Sequence, residues 1–169
     1  DHERDHKAGA RLVLEPLRAD HAREMSVVLR DPLLYTFIGG GPPSLAALEA
    51  RYAVQAPGRS PDGQQLWLNW IVRLVERGQA VGFVQATVTG TSPRRTAEVA
   101  WVIGVEYQGR GYAREAVMMM LSRLQAIGVE TTRAHIHPEH HASNAVARAA
   151  GLSPTGLLIE GEMRWQGHS

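Results

Sequence analysis

The chain has 169 residues, with 18 basic and 17 acidic side chains, 44% hydrophobic residues and no cysteine. That length suits one domain with a core of its own, and the missing cysteines exclude disulfides, thiolate metal sites and a cysteine nucleophile. A formal net charge of +1, with both signs well mixed, leaves no basic field for a phosphate backbone, so direct DNA or RNA binding is disfavoured.

The first residues, Asp1 to Lys7, are charged and no apolar core follows them, which argues against a secretory signal. No apolar run approaches the roughly 18 residues of a membrane span. The expectation is a soluble, cytoplasmic protein, with residues 1–10 a disordered tail that has nothing to bury and 11–167 a single domain. A short strand over 12–14 is stopped by Pro16. Residues 19–30 read as a helix with Ala22, Met25, Val28 and Leu29 on one face, ended by Asp31-Pro32. An apolar segment over 33–38 runs into Gly39-Gly40-Gly41-Pro42-Pro43, a loop by its chemistry. Ser44 is placed to cap a helix from Leu45 to about Gln55, and 57–63 is again loop. Alternation of Leu66, Leu68, Trp70, Val72 and Leu74 predicts a strand over 66–75 with one face in the core. A turn at 76–79 returns the chain as an antiparallel partner over 80–89. After a loop over 90–95, a strand over 96–105 completes a three-strand meander.

That strand feeds the sequence Gln108-Gly109-Arg110-Gly111-Tyr112-Ala113, then Arg114, where a helix opens. Gly109 and Gly111 let the backbone approach a ligand and take up positive φ. The free NH groups and positive end of the helix dipole make the loop an anion site, with phosphate the natural occupant. Val117, Met120, Leu121 and Leu124 mark one helix face, and Gly128 stands at the C-terminal cap position. A strand over 131–137 follows, with Ala134 and Ile136 on one side and Arg133, His135 and His137 on the other, and Pro138 stops it. A short helix over 144–150 and a hairpin of 157–159 with 162–165 close the chain. The order is β, α, α, β, β, β, α, β, α, β, β, without internal repeats.

Two rival phosphate loops fail on their own requirements. A nucleotide-triphosphate loop needs a glycine–lysine pair, and no lysine occurs after position 7. A dinucleotide fingerprint needs a third glycine beyond Gly109 and Gly111. Gln108 to Ala113 instead resembles the Q/R-x-x-G-x-G/A pyrophosphate motif of the GNAT acetyltransferase superfamily, in its Gly-to-Ala variant. Residues 142–152 resemble that family's second signature, an asparagine opening a helix that ends in a glycine and an apolar residue. The element order resembles the GNAT fold over essentially its full length.

The resemblance implies an α+β fold: a mixed, mostly antiparallel twisted sheet of about seven strands, splayed at the cofactor groove and flanked by about four helices. It implies acetyl-CoA as the acetyl-donating cosubstrate, with the two helices after the first strand forming an acceptor-binding wall. The pyrophosphate would lie on Gln108, Gly109, Arg110, Gly111, Tyr112, Ala113 and Arg114. The pantetheine arm would follow the strand at Val102, Ile103, Gly104 and Val105, with a bulge at Gly104. Asn144 would hydrogen-bond that arm, or merely cap its helix.

Direct attack on the thioester needs a neutral amine, a stabilised oxyanion and a proton for the leaving thiolate. A terminal amine of pKa about 8 is roughly 10% neutral at pH 7, and a lysine at about 10.4 well under 0.1%, so a weak base suffices for terminal amines. Glu98 is the candidate base, expected in a hydrophobic surround beside Ala100 and Val102 that would raise its pKa. The tyrosine that many relatives use as the acid has no counterpart among 147–150. Ser143 can donate instead, or serve as an N-cap. His135, His137, His140 and His141 have Glu139 as their one nearby acidic companion, and Pro138 separates the pairs, so no metal site is expected. His137 could assist the base.

The reading is an acetyl-CoA-dependent N-acetyltransferase, acting as a monomer or homodimer, most similar to the ribosomal-protein alanine N-acetyltransferase branch. That branch rests on the Asp31-to-Phe37 segment and the Ala-Glu-Val-Ala-Trp strand. The acceptor is expected to be a protein or peptide N-terminal amine, because residues 31–63 carry only Asp31, Glu49 and Asp62 as acids. Acetylation of an antibiotic or polyamine, and a CoA-binding module without turnover, are the alternatives.

Overall fold

The computed structural model describes residues 10–169, so the tail expected over residues 1–10 falls, Ala10 apart, outside the described residues. Among the described residues, seven strands make one sheet: β1 (Leu12–Pro16), β2 (Leu66–Leu74), β3 (Ala80–Thr89), β4 (Arg95–Ile103), β5 (Val129–Ile136), β6 (Ser153–Ile159) and β7 (Glu162–His168). Four α-helices accompany it: α1 (Ala22–Val28), α2 (Leu45–Gln55), α3 (Tyr112–Ala126) and α4 (His141–Ala149). The strands lie in the order β1-β2-β3-β4-β5-β7-β6, and the β4–β5 pair alone is parallel. This is the expected α+β architecture. The insertion of β7 between β5 and β6 was not part of the expectation.

The sheet separates two apolar layers. Under α3 and α4 lie Val84, Ala86, Val99 and Ile103 with Val117, Met120, Leu124 and Ala147. Under α1 and α2 lie Met25, Leu29, Leu48 and Tyr52 against Ile71. β2 therefore buries both faces at its centre, Trp70 and Val72 on one side and Ile71 on the other, where the alternation pattern indicated one. A strand covered by helices on both sides loses its polar face. Burial also pushes the Tyr52 hydroxyl up to about 12.

Local chemistry sets the ends of the elements. The segment expected as one helix over 19–30 divides into a 3-10 turn (Ala19–His21) and α1. Asp31 then accepts a hydrogen bond from Leu33 N (2.9 Å) and opens a second 3-10 turn (Pro32–Tyr35). Ser44 caps α2 through Ala47 N (3.1 Å). Gly128, with φ +86°, ends α3 in the left-handed conformation that glycine tolerates.

One polar network ties β1, β2 and α1 together. Arg73 donates to Glu15 (2.9 Å), to both oxygens of Glu24 (2.9 and 3.0 Å) and to Gly78 O (2.6 Å). His21, 3% exposed, accepts from Arg18 N on Nδ1 (2.9 Å), so its proton sits on Nε2 and points at Glu15 (2.6 Å). Burial alone would raise the Glu15 carboxyl, but the hydrogen bonds of Arg73 and His21 and the charge of Arg73 outweigh it and hold it below the ordinary range. Arg73 hydrogen bonds hold Glu24 down as well. A carboxylate with a depressed folded pKa stabilises the fold above its unfolded value, and that contribution disappears as pH falls through the folded one. Arg73→Met is expected to remove roughly 1–2 kcal/mol at pH 7. Urea unfolding should show the gap from wild type closing below about pH 4. A gap independent of pH would contradict the network's role.

Candidate active site

The loop between β4 and α3 is assembled from both of its ends. A 3-10 turn (Val105–Tyr107) follows β4, and Gln108 Nε2 donates to Ile103 O (2.9 Å), folding the loop back on the strand end. Gly109 (φ +78°) and Gly111 (φ +82°) are both left-handed, and Gly111 is the N-cap of α3. A Cβ on Gly109 would meet nothing within 4 Å, so that glycine is required for its conformation rather than for space. Arg11, which sequence reasoning passed over, braces the loop. It donates to Arg110 O (2.8 Å) and to Glu115 (3.2 Å), and its guanidinium lies 4.7 Å from the centre of the Tyr112 ring. Among the described residues, the backbone NH groups of residues 109 to 114 donate to no protein acceptor. Six such groups at and just before the start of a fifteen-residue helix are unpaired donors at the positive end of the helix dipole, which favours an anion.

Beside the loop the sheet opens. β4 and β5 pair at Arg95↔Val129, Thr96↔Thr131, Ala97↔Thr132 and Glu98↔Arg133, and not beyond. From Val99 onward β4 stays with β3 while β5 stays with β7. The wedge between them continues as a cleft of about 440 Å³, bounded by Phe37 and Ile38, by Trp101 to Ile103, and by His140 and Ser143. Gln108, Gly109, Gly111, Tyr112, Ala113 and Arg114 also line it.

Several expected site residues stand differently. No bulge occurs at Gly104, since the β3–β4 register is unbroken from Thr89↔Thr96 to Gly82↔Ile103. Gly104 is instead where the chain passes close to α1: a Cβ there would lie 3.0 Å from Val28 O. Val105 belongs to the 3-10 turn past the strand, so it does not extend the β4 edge. Arg110 and Asn144 lie outside the cleft lining. Asn144 is neither the helix opener nor the cap, because α4 starts at His141 and the asparagine Nδ2 donates back to Pro138 O (3.0 Å). Glu98 stands at the fork, the last β4 residue still paired with β5. It is exposed, as is Ala100 on the same face, so the expected hydrophobic surround is absent.

The pair that the fold brings together at the cleft is His140 with Ser143. His140 stacks on Phe37 (ring centres 4.8 Å apart, 18° between planes), and its Nε2 lies 3.2 Å from Ser143 Oγ. Burial, helped by the charge of His137, pushes the His140 imidazole below its ordinary value, which favours the neutral ring. Both residues also line a second hollow of about 210 Å³, between the parted strands at residues 99–102 and 134–137, with Gln85, Ala100, His135, His137 and Glu162. His141 also lines the cleft, while His135 and His137 each give a ring nitrogen to a protein partner. His135 Nε2 accepts from Arg164 (3.1 Å), and His137 Nδ1 from Glu139 N (3.1 Å). Among the described residues, no helix is long and apolar enough to cross a membrane.

A family model described as acetyltransferase (GNAT) domain matches residues 11–153. The structure is similar to that of a GNAT-family acetyltransferase from Bacillus anthracis (TM-score 0.76, 18% identity, covering 94% of this chain and 95% of that one). It is also similar to the microcin C7 self-immunity acetyltransferase MccE in complex with acetyl-CoA and AMP (TM-score 0.77, 13% identity, 96% and 95% covered). A third likeness is to a chimeric spermidine N-acetyltransferase SpeG from Vibrio cholerae and hSSAT (TM-score 0.73, 18% identity, 94% and 95% covered). At these identities the likeness establishes the fold. No curated protein sequence matches the chain.

Proposed function

The chain belongs to the acetyltransferase (GNAT) family, and from that premise we propose that it transfers the acetyl group of acetyl-CoA to a primary amine, the N-terminal amine of a protein or peptide. The carrying observation is the row of undonated NH groups at 109 to 114 beside a sheet that splits at Glu98. When bound, acetyl-CoA supplies the acetyl group as a thioester. Residues 109 to 114 hold the diphosphate, and Val102 and Ile103 border the wedge that receives the arm. A MccE structure with acetyl-CoA bound on the same fold supports this cosubstrate.

The protein's own task is to move protons. Glu98, solvated at the fork, removes the proton that the attacking nitrogen must lose, directly or through one water. An exposed carboxylate is adequate here, because a terminal amine is already about 10% neutral at pH 7. Ser143 Oγ–H gives the leaving sulfur its proton. His140 restores the hydroxyl from Nε2 while taking a proton from water on Nδ1, so the ring stays neutral and exchange with water resets its tautomer. This pair stands in for the missing tyrosine. The soft features that favour the ribosomal-protein alanine branch are the Asp31-to-Phe37 segment, with Phe37 lining the cleft, and the Ala97-to-Trp101 strand. We place the protein in the cytoplasm, its residues from 11 to 167 acting as one domain.

Thiol release from acetyl-CoA with a panel of N-terminal peptides and small amines tests the proposal. Glu98→Gln is expected to lower kcat about 100-fold. In the pH profile of the wild type, the limb set by His140 lies below its ordinary value of 6.5, and His140→Asn removes it. CoA binding without release for any amine would make the protein a carrier-binding module. Unchanged turnover in Glu98→Gln at every pH would remove Glu98 as the base.

A further inference from the structure

The face of the sheet that carries Glu98 presents two rows of side chains in register. Strand pairing aligns Trp67, Thr87, Glu98, Arg133 and Gln166 across β2, β3, β4, β5 and β7. Two residues along, and so on the same face, come Asn69, Gln85 and Ala100. Across the split, His135 and Arg164 continue on the far side. Ala100 is thus a small, exposed gap between larger neighbours, beside the point where the strands part.

A groove of about 340 Å³ lies over the β2–β3 end of these rows. Arg51, Val54 and Gln55 of α2 form one wall, and Trp67, Asn69 and Gln85 form the floor. Gln85 also lines the hollow that holds His140 and Ser143, so groove and hollow adjoin at that side chain and together form the trough considered below. Its chemistry is specific. The amides of Asn69 and Gln85, half-buried, make no hydrogen bond to protein among the described residues, and Arg51 has no ion pair among them. Arg51 is the groove's one charged lining residue, and the groove has no carboxylate. The hollow adds His135, His137 and His140 against Glu162 alone.

We propose that this trough takes an extended peptide whose amine sits over Ala100, whose amides meet Gln85 and Asn69, and whose acidic side chain meets Arg51. The proposal rests on the transferase reading and names its acceptor class. Paired side-chain amides offer a donor and an acceptor to each peptide unit, whereas a protonated polyamine has donors alone. Neighbouring strands are about 4.8 Å apart, so Ala100 to Asn69 spans roughly 10 Å, or about three residues of extended chain. The third or fourth residue then reaches the α2 wall. A polycation meets only Glu98 and Glu162 as carboxylates, and an unneutralised arginine at the far end of the trough repels it.

The test is binding of two C-terminally labelled hexapeptides to the CoA-loaded protein, followed by fluorescence anisotropy at low salt. They are identical except for Glu-Glu or Lys-Lys at positions three and four. The acidic peptide is expected to bind about 10-fold more tightly, and Arg51→Glu to reverse the order. Arg51→Gln is expected to abolish the difference, and Gln85→Ala to weaken both peptides alike. Equal binding of the two peptides, a preference that survives in Arg51→Glu, or spermidine as the best competitor would overturn the trough. Turnover is measured separately with the same peptides. An Arg51-dependent acidic preference without thiol release supports the trough and defeats the transferase reading. Release from both peptides at equal kcat/KM, with no preference in binding, defeats the trough and leaves the transferase.

Discussion

Gly111→Val is expected to weaken acetyl-CoA binding at least about 100-fold while leaving the protein folded. The glycine sits at φ +82° as the N-cap of α3, a conformation that is an outlier for a β-branched residue and costs an L-residue roughly 1–2 kcal/mol. The cheapest escape is rotation of the peptide units on either side, and those units carry part of the NH row that faces the cleft. A donor array loses its grip when two or three members turn away, since each charge-assisted hydrogen bond contributes about 1.5–3 kcal/mol. Stability is affected far less. The added Cβ would lie 3.3 Å from Arg11 Nη2, the far end of a flexible side chain that can swing aside. Titration calorimetry gives the affinity and thermal unfolding the fold, with the midpoint expected to fall by only a few degrees. An affinity within threefold of wild type would remove the loop from the cofactor site, and with it the basis of the transferase reading. Gly109→Ala supplies the control for conformation without a steric neighbour.

Gly82→Ala is expected to have the largest effect on stability of any single methyl addition, about 3–4 kcal/mol. The glycine is paired with Ile103 on β4, and a Cβ there would fall on the Val102 carbonyl oxygen and 2.9 Å from Ile103 Cα. Both are backbone atoms in mid-sheet, so neither can rotate away, and β3 must separate from β4 at the point where the wall of the cleft is made. Gly156→Ala makes the instructive contrast. Gly156 has φ +85° with nothing within 4 Å of an added Cβ, so its substitution costs conformational strain alone, about 1–2 kcal/mol. Urea unfolding of the two variants separates crowding from strain. Equal losses would mean that β3 and β4 do not approach at Gly82 as closely as described. Acetyl-CoA affinity should fall with stability in Gly82→Ala, because Val102 and Ile103 line the cleft, and should be untouched in Gly156→Ala.

The features legible in the sequence were those written in local chemistry. Alternation gave β2, the turn at 76–79 gave its partner β3, the Ser44 cap and the glycine at 128 gave helix ends, and Gly109 with Gly111 gave the loop, because each depends on residues a few positions apart. What stayed hidden depends on distance along the chain. Arg11 braces a loop 99 residues away, and nothing in its neighbours marks it. Asn144 was expected to open the helix because residues 142–152 resemble the family's second signature, but the turn at Pro138, closed by His140 N to His137 O (2.9 Å), starts α4 three residues earlier, and His140 and Ser143 line the cleft instead. Glu98 looked apolar in its setting because its strand neighbours are apolar. Val99 and its alternates face the α3 side, whereas Glu98 shares the open face with Ala100, Thr87 and Trp67.

Mechanically, the molecule is a pair of plates. Each, β1 to β4 and β5 to β7, is closed by its own antiparallel ladders, and the pair shares a seam of four residue positions from Arg95 to Glu98. Beyond that seam the facing edges of β4 and β5 carry no rungs to each other, while the apolar core under α3 holds both plates in place. A long, narrow guest can therefore thread the gap sideways, and once seated it acts as the missing rungs between the plates.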